Sequence, residues 1–147
     1  VLAEDAENYF KLTSDSPYML LVQEVKDEFR KKLPDNYHRL SLREKLAHIR
    51  SDFPAITHID YSARIQTVYK KTNPRYWNLL EAFKQKTGVG MLVNTSFNVR
   101  GEPIVCTPED AYRCFMNTEM DYLVLGDYVF DKEMQPQWTK KQTVEKD

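Results

Sequence analysis

Ten consecutive residues carry the densest polar chemistry of this sequence: Asn94-Thr95-Ser96-Phe97-Asn98-Val99-Arg100-Gly101-Glu102-Pro103. Thr95 and Ser96 offer hydroxyls, and Asn94 and Asn98 offer amide donors and acceptors. Arg100 offers a planar cationic fork suited to phosphate or carboxylate. Gly101 allows a tight backbone beside it. Together these groups suit a phosphorylated ligand. The competing reading is a polar turn whose side chains cap their own backbone. The segment is not a Walker loop, because no GxxxxGK[ST] pattern occurs.

A second cluster runs from Thr57 to Gln66, reading Thr-His-Ile-Asp-Tyr-Ser-Ala-Arg-Ile-Gln. On an extended strand His58 and Asp60 share one side, and Ser62 and Arg64 join them if the extension continues. That lines up an imidazole, a carboxylate, a hydroxyl and a guanidinium. The plainer alternative is a satisfied His–Asp pair and a surface arginine. Histidines stand at 38, 48 and 58, and no CxxC, HxxxH or HExxH spacing appears, so no dedicated metal site is expected. Cys106 and Cys114 read as two buried, reduced thiols. They are not expected to bond to each other, since Cys114 falls within a helix that begins after Cys106.

These loops need elements behind them. Ala3 to Phe10 reads as a short helix with acids in its first turn. Tyr18 to Val22 is an apolar run of strand length, expected to be buried on both faces. Residues 26 to 53 form a charged excursion with one or two weak helices, in which Leu40, Leu42 and Leu46 make one narrow apolar face. Its many Lys and Arg residues read as a solvated face. Ile56–Asp60 and Ala63–Tyr69 read as strands broken around Tyr61-Ser62. Asn73-Pro74 opens a helix that Gly88 closes. Gly90–Val93 reads as a buried strand leading into the Asn94 loop, and such strand-end loops are where open sheets bind ligands. Thr107-Pro108-Glu109-Asp110 starts a helix to about Asn117, with Asp110 completing an acidic capping box. Tyr122–Leu125 and Tyr128–Phe130 read as strands, and the polar tail 131–147 as disordered. The order predicts an α+β (α/β-like) fold, a mixed twisted sheet with packed helices.

The chain has 147 residues, 41% hydrophobic and 29% charged, as suits one globular domain. Its net charge of −1 gives no global basic field, so nucleic acid is not an expected partner. No apolar run approaches the ~20 residues that span a bilayer, and nothing resembles a signal peptide, so a cytoplasmic location is expected. The chain begins with Val1 rather than Met, which suggests a piece of something longer.

Two segments carry a family resemblance: Thr57-His58-Ile59-Asp60 continued by Ser62-Ala63-Arg64-Ile65-Gln66-Thr67-Val68, and Asn94 through Val105. They resemble signature segments of the NodU-type O-carbamoyltransferases. Ser16-Pro17-Tyr18-Met19 and Thr107-Pro108-Glu109-Asp110-Ala111 match less specifically, in the same order. The resemblance covers about residues 1 to 130, and is weakest over the excursion at 26–53, which looks like a variable insertion.

The resemblance implies a C-terminal fragment of a YrdC-like domain. In that family the YrdC-like part makes carbamoyl-adenylate from carbamoyl phosphate and ATP, with Mg carried by the nucleotide. A Kae1-like N-terminal domain of the same chain, which holds the family's metal, passes the carbamoyl group to a substrate hydroxyl. By this resemblance Ser96-Phe97-Asn98 matches a Ser-x-Asn nucleotide element and Arg64 a phosphate-binding arginine. Arg64 and Ser96 are thus the catalytic candidates, with Thr95, Ser96, Asn98, Arg100, His58 and Asp60 lining the ligand. The family's upstream basic segments, including Gly-Pro-Arg-Ala-Leu and Lys-x-Arg-Glu, do not occur in these residues. Adenylate formation builds charge that such cations stabilise, so this piece alone is expected to be inactive. Two other readings are a YrdC-like nucleotide- or RNA-binding module without carbamoyl chemistry, and an interaction domain that has lost its site. The intact Asn94–Arg100 segment argues against the last.

Overall fold

The structure, a computed structural model, describes residues 1–138. The chain divides into two compact units, 1–93 and 94–147. Helices and short antiparallel strands make an α+β fold.

In the first unit a 3-10 turn at Ala3–Asp5 continues into α1 (Ala6–Tyr9). β1 (Leu21–Glu24) pairs antiparallel with β2 (Ser62–Ile65), with Leu21 opposite Ile65 and Val22 opposite Arg64. Ala63 and Ile65 point into a core with Tyr9, Phe10 and Val25, so the two-residue period of the strand leaves Arg64 exposed. α3 (Pro74–Thr87) starts on Asn73, whose side chain accepts from the Tyr76 amide, and ends on Gly88 at φ 81°. Leu80 buries its inner face against Leu2 and Val68.

Several strands differ from expectation. The run at 18–22 is not buried: Tyr18 and Leu20 are each 79% exposed, and the strand begins only at Leu21. Pro17 and the left-handed Met19 (φ 57°) turn the chain there, and Ser16 is held to β2 by its Oγ bond to the Ile65 carbonyl at 2.7 Å. Residues 56–60 form turns rather than a strand. β2 stops at Ile65, after which Val68 makes a single parallel bridge to Leu2. Gly90 and Met91 are buried but lie in no strand; the Gly90 carbonyl accepts from the Leu2 amide at 2.9 Å.

The excursion holds 3-10 turns at Asp27–Phe29 and Tyr37–Arg39, then α2 (Leu42–Ala47), started by a Ser41–Glu44 capping box. Leu42 and Leu46 remain exposed, so they make no packed face. Arg50 departs from the solvated charge pattern. It is buried, and its guanidinium donates to the carbonyls of Lys45 and His48 at 2.7 Å and of Thr57 at 3.0 and 3.3 Å. A buried cation needs such partners, and here backbone carbonyls supply them.

In the second unit Thr107 and Asp110 form the expected capping box of α4 (Pro108–Asn117). Ala111 and Phe115 pack on Leu123 of β3 (Tyr122–Leu125), which pairs with β4 (Tyr128–Asp131) across a turn with Gly126 at φ 62°. Lys132 Nζ donates to the Phe115 and Thr118 carbonyls and lies 4.0 Å from the centre of the Phe115 ring. A cation there suits the negative end of the helix dipole, and it adds to the Thr118 amide and hydroxyl already donating to the Phe115 carbonyl. Lys132–Met134 is a 3-10 turn within the stretch read as tail; residues 139–147 lie outside the described ones. Both cysteines are free; Cys114 is buried, but Cys106 is exposed, because it precedes the helix on the capping loop. Among the described residues no helix is long and apolar enough to cross a membrane.

Candidate functional site

The Thr57–Arg64 segment gathers its polar groups by a turn, not along a strand. Thr57 is buried, its hydroxyl donating to the Phe53 carbonyl at 2.8 Å and meeting Ser51 Oγ at 2.6 Å. The His58 amide donates to the Ser62 carbonyl at 2.8 Å and the Tyr61 amide to the His58 carbonyl at 3.2 Å. Tyr61 takes φ 65°, an uncommon conformation for an aromatic residue. The turn is locked by Asp60, whose Oδ1 accepts from the Ser62 amide at 3.0 Å and the Ser62 hydroxyl at 2.6 Å. Asx turns of this kind are favoured because the short carboxylate reaches the amide two residues on. Those bonds, the Ser62 hydroxyl first, hold the Asp60 carboxyl below the usual range. His58 Nδ1 lies 2.9 Å from Ser62 Oγ.

His58, Asp60 and Ser62 are therefore together, as the sequence suggested, though by a different backbone path. Arg64 follows on β2, on the face that Ser62 shares by strand alternation. Its guanidinium is exposed and makes no hydrogen bond or ion pair among the described residues.

In the second unit the Asn94–Pro103 segment is an open loop anchored at Phe97, which packs on the α4 core. The Val105 amide donates to the Phe97 carbonyl at 2.9 Å, closing the loop's base. Asn98 Nδ2 donates to the Glu102 carbonyl at 2.8 Å across Gly101, which stands at φ 91°. Asn98 thus does what the turn-capping reading expects with its amide donor. Thr95, Ser96 and Arg100 differ: their side chains are exposed and make no hydrogen bond or ion pair among the described residues. Two hydroxyls and a guanidinium are left available to a ligand.

Sequence reading underrated Ser62, which the structure makes the hinge of the His58–Asp60 pair; the Asp-x-Ser spacing of an Asx turn was the available signal. It missed an open groove of about 720 Å³ whose lining includes Pro108, Glu109, Tyr112, Leu125, Tyr128 and Trp138. None of the sequence-predicted site residues lines that groove.

Residues 1–132 match the family model described as carbamoyltransferase C-terminus. Similar proteins include an uncharacterized protein of Synechocystis, 61% identical over 93% of this chain and 22% of that protein. Nodulation protein NolO of Bradyrhizobium diazoefficiens is 41% identical over 89% of the chain and 21% of its own length. The 3'-hydroxymethylcephem-O-carbamoyltransferase of Amycolatopsis lactamdurans is 32% identical over 84% of the chain and 20% of its length. The chain spans about a fifth of the length of these relatives.

Proposed function

The chain belongs to the carbamoyltransferase C-terminus family, and from that premise we propose that it is the C-terminal part of an O-carbamoyltransferase. In this reading its YrdC-like domain forms carbamoyl-adenylate from carbamoyl phosphate, magnesium ATP and one water: the water releases phosphate from carbamoyl phosphate, and the carbamate left displaces pyrophosphate from ATP. A Kae1-like N-terminal domain of the same polypeptide then passes the carbamoyl group to a hydroxyl acceptor. The observation that carries the reading is the family match over residues 1–132, which takes in both polar segments.

The site residues fit this chemistry by type. Arg64 and Arg100 supply unpaired guanidinium groups for phosphate oxygens, bound through paired N–H donors. Thr95 and Ser96 supply free hydroxyls, and Asn98 retains its side-chain oxygen after its amide nitrogen has closed the loop. His58 and Asp60 stand on the same unit as Arg64, and Asp60 is already engaged with Ser62. Arg64 and Ser96 are the catalytic candidates of this reading, each a donor of the kind that meets added charge on phosphate.

The test is pyrophosphate release from magnesium ATP by the longer enzyme that contains this chain, with and without carbamoyl phosphate. Release that depends on carbamoyl phosphate and falls strongly in Ser96→Ala supports the reading. Release indifferent to carbamoyl phosphate, or to Ser96, removes it.

A further inference from the structure

The Ser62 hydroxyl has one proton and two neighbours that compete for it. Asp60 Oδ1 lies at 2.6 Å and His58 Nδ1 at 2.9 Å. An ionised carboxylate has no proton to give, so a contact as short as the first is a hydroxyl donating to it. The Ser62 amide, donating to the same oxygen at 3.0 Å, fixes that carboxylate in place. With its proton committed to Asp60, Ser62 Oγ has only lone pairs left for His58. The 2.9 Å contact is then a hydrogen bond in which Nδ1–H donates. A neutral imidazole carries one N–H, so Nε2 is left as a bare acceptor. The partner of one ring nitrogen thus decides the state of the other.

We propose that Ser62 is a positioning residue that locks His58 with its proton on Nδ1, so that the exposed ring presents Nε2 as a hydrogen-bond acceptor. The consequence rests on the functional reading above: neutral His58 meets a ligand group that carries N–H or O–H, such as a carbamoyl amide or a sugar hydroxyl. Phosphate oxygens, which only accept, are left to the arginines. The Asp60–Ser62–His58 chain resembles a nucleophile arrangement in composition but runs the opposite way. The histidine does not take the serine proton, and Ser62 is not a nucleophile.

The experiment reads the ring directly and does not depend on carbamoyl chemistry, so it stands or fails apart from the functional proposal. The 147-residue chain has three histidines, at 38, 48 and 58. Two-bond ¹H–¹⁵N correlation spectra at a pH where imidazole is neutral distinguish a protonated from a bare nitrogen in each ring. His58→Gln identifies its signals. The expected result is a protonated Nδ1 and a bare Nε2 in His58. In Ser62→Ala and in Asp60→Ala the proton shifts toward Nε2, the second because the freed hydroxyl can then donate to Nδ1. Ser62→Thr, which keeps a hydroxyl, retains the original state. Unchanged His38 and His48 signals report an intact fold in each variant. A wild-type ring with its proton on Nε2 overturns the proposal by itself, whichever variants fold. So does an unchanged ring in folded Ser62→Ala or Asp60→Ala.

Discussion

Arg64 is exposed on a strand whose neighbouring side chains, Ala63 and Ile65, are buried, so the backbone is fixed while the guanidinium is free. That arrangement suits an anion ligand, because ordering the strand has already been achieved by the core. In the longer enzyme Arg64→Ala is expected to lower carbamoyl-phosphate-dependent pyrophosphate release about a hundredfold, the ~3 kcal/mol typical of one transition-state donor. Arg64→Lys restores only part, since an ammonium lacks the planar fork. Wild-type rates in Arg64→Ala remove this residue from the mechanism. Arg50 is the opposite case, a cation whose donors are consumed inside the fold. Replacing it with Ala removes the donor to the His48 and Thr57 carbonyls, whereas the Lys45 carbonyl keeps the His48 amide at 3.3 Å. Each unsatisfied buried group costs about 1–3 kcal/mol. Urea denaturation is expected to show a clear loss of stability in Arg50→Ala, and hydrogen exchange to show faster opening around 45–57. A stability equal to wild type refutes that role.

Helix starts are the most local elements here, and α4 shows how one is built. Thr107 Oγ1 accepts from the Asp110 amide at 3.1 Å, and Asp110 Oδ2 accepts from the Thr107 amide at 3.2 Å. Thr107→Ala should cost about 1 kcal/mol, read as a lower urea midpoint. Arg113, followed by Thr107, holds the Asp110 carboxyl below its ordinary range. Because the folded value is the lower one, the stabilisation is fully present above the unfolded carboxyl value near 4. It is lost as pH falls through the folded value. Asp110→Asn should therefore flatten the decline of stability below pH ~4 while leaving its slope near neutrality unchanged. An acid limb as steep as wild type counts against the assignment.

At the scale of the molecule, each unit has its own core, and the N-terminal residues close the first. Asp5 is buried with Lys84 Nζ 2.9 Å from Oδ1 and 2.8 Å from Oδ2, although Oδ2 makes no directed hydrogen bond. Gly90 passes this pair so closely that a Cβ there would lie 2.7 Å from Asp5 Oδ2 and 2.9 Å from Leu2 Cδ1. Gly90→Ala forces the Asp5 carboxylate or Leu2 aside, at a cost of about 1–3 kcal/mol for an overpacked interior. Thermal unfolding checks this, and an unchanged midpoint means the site relaxes freely. Gly88 offers the comparison: nothing lies within 4 Å of its Cβ position, so any cost there comes from its left-handed backbone alone.

Local chemistry determined the helices. Asn73-Pro74 with Gly88, and Thr107-Pro108 with Asp110, specify their ends through bonds between near neighbours, and such bonds need no knowledge of the rest of the chain. The residues of the two polar segments were legible for the same reason, because residue type fixes donor and acceptor capacity. The strands were less legible. An apolar run such as Tyr18–Val22 announces burial, yet only the partner strand decides which residues pair, and here pairing starts at Leu21. The same holds for His58 and Asp60. Their spacing was visible, but their joining through Ser62 depends on the turn at Tyr61, and period-two reasoning cannot anticipate a left-handed residue. Arg50 needed the local backbone path: its partners stand only two to seven residues away, yet a charged residue in a charged stretch reads as solvated until the chain curls the carbonyls of 45, 48 and 57 around it. Asp5 and Lys84 needed the whole unit, because 79 residues separate them. Sequence set what each side chain can bond, and tertiary structure decided which partners it meets, since partners distant along the chain become neighbours only when the core forms.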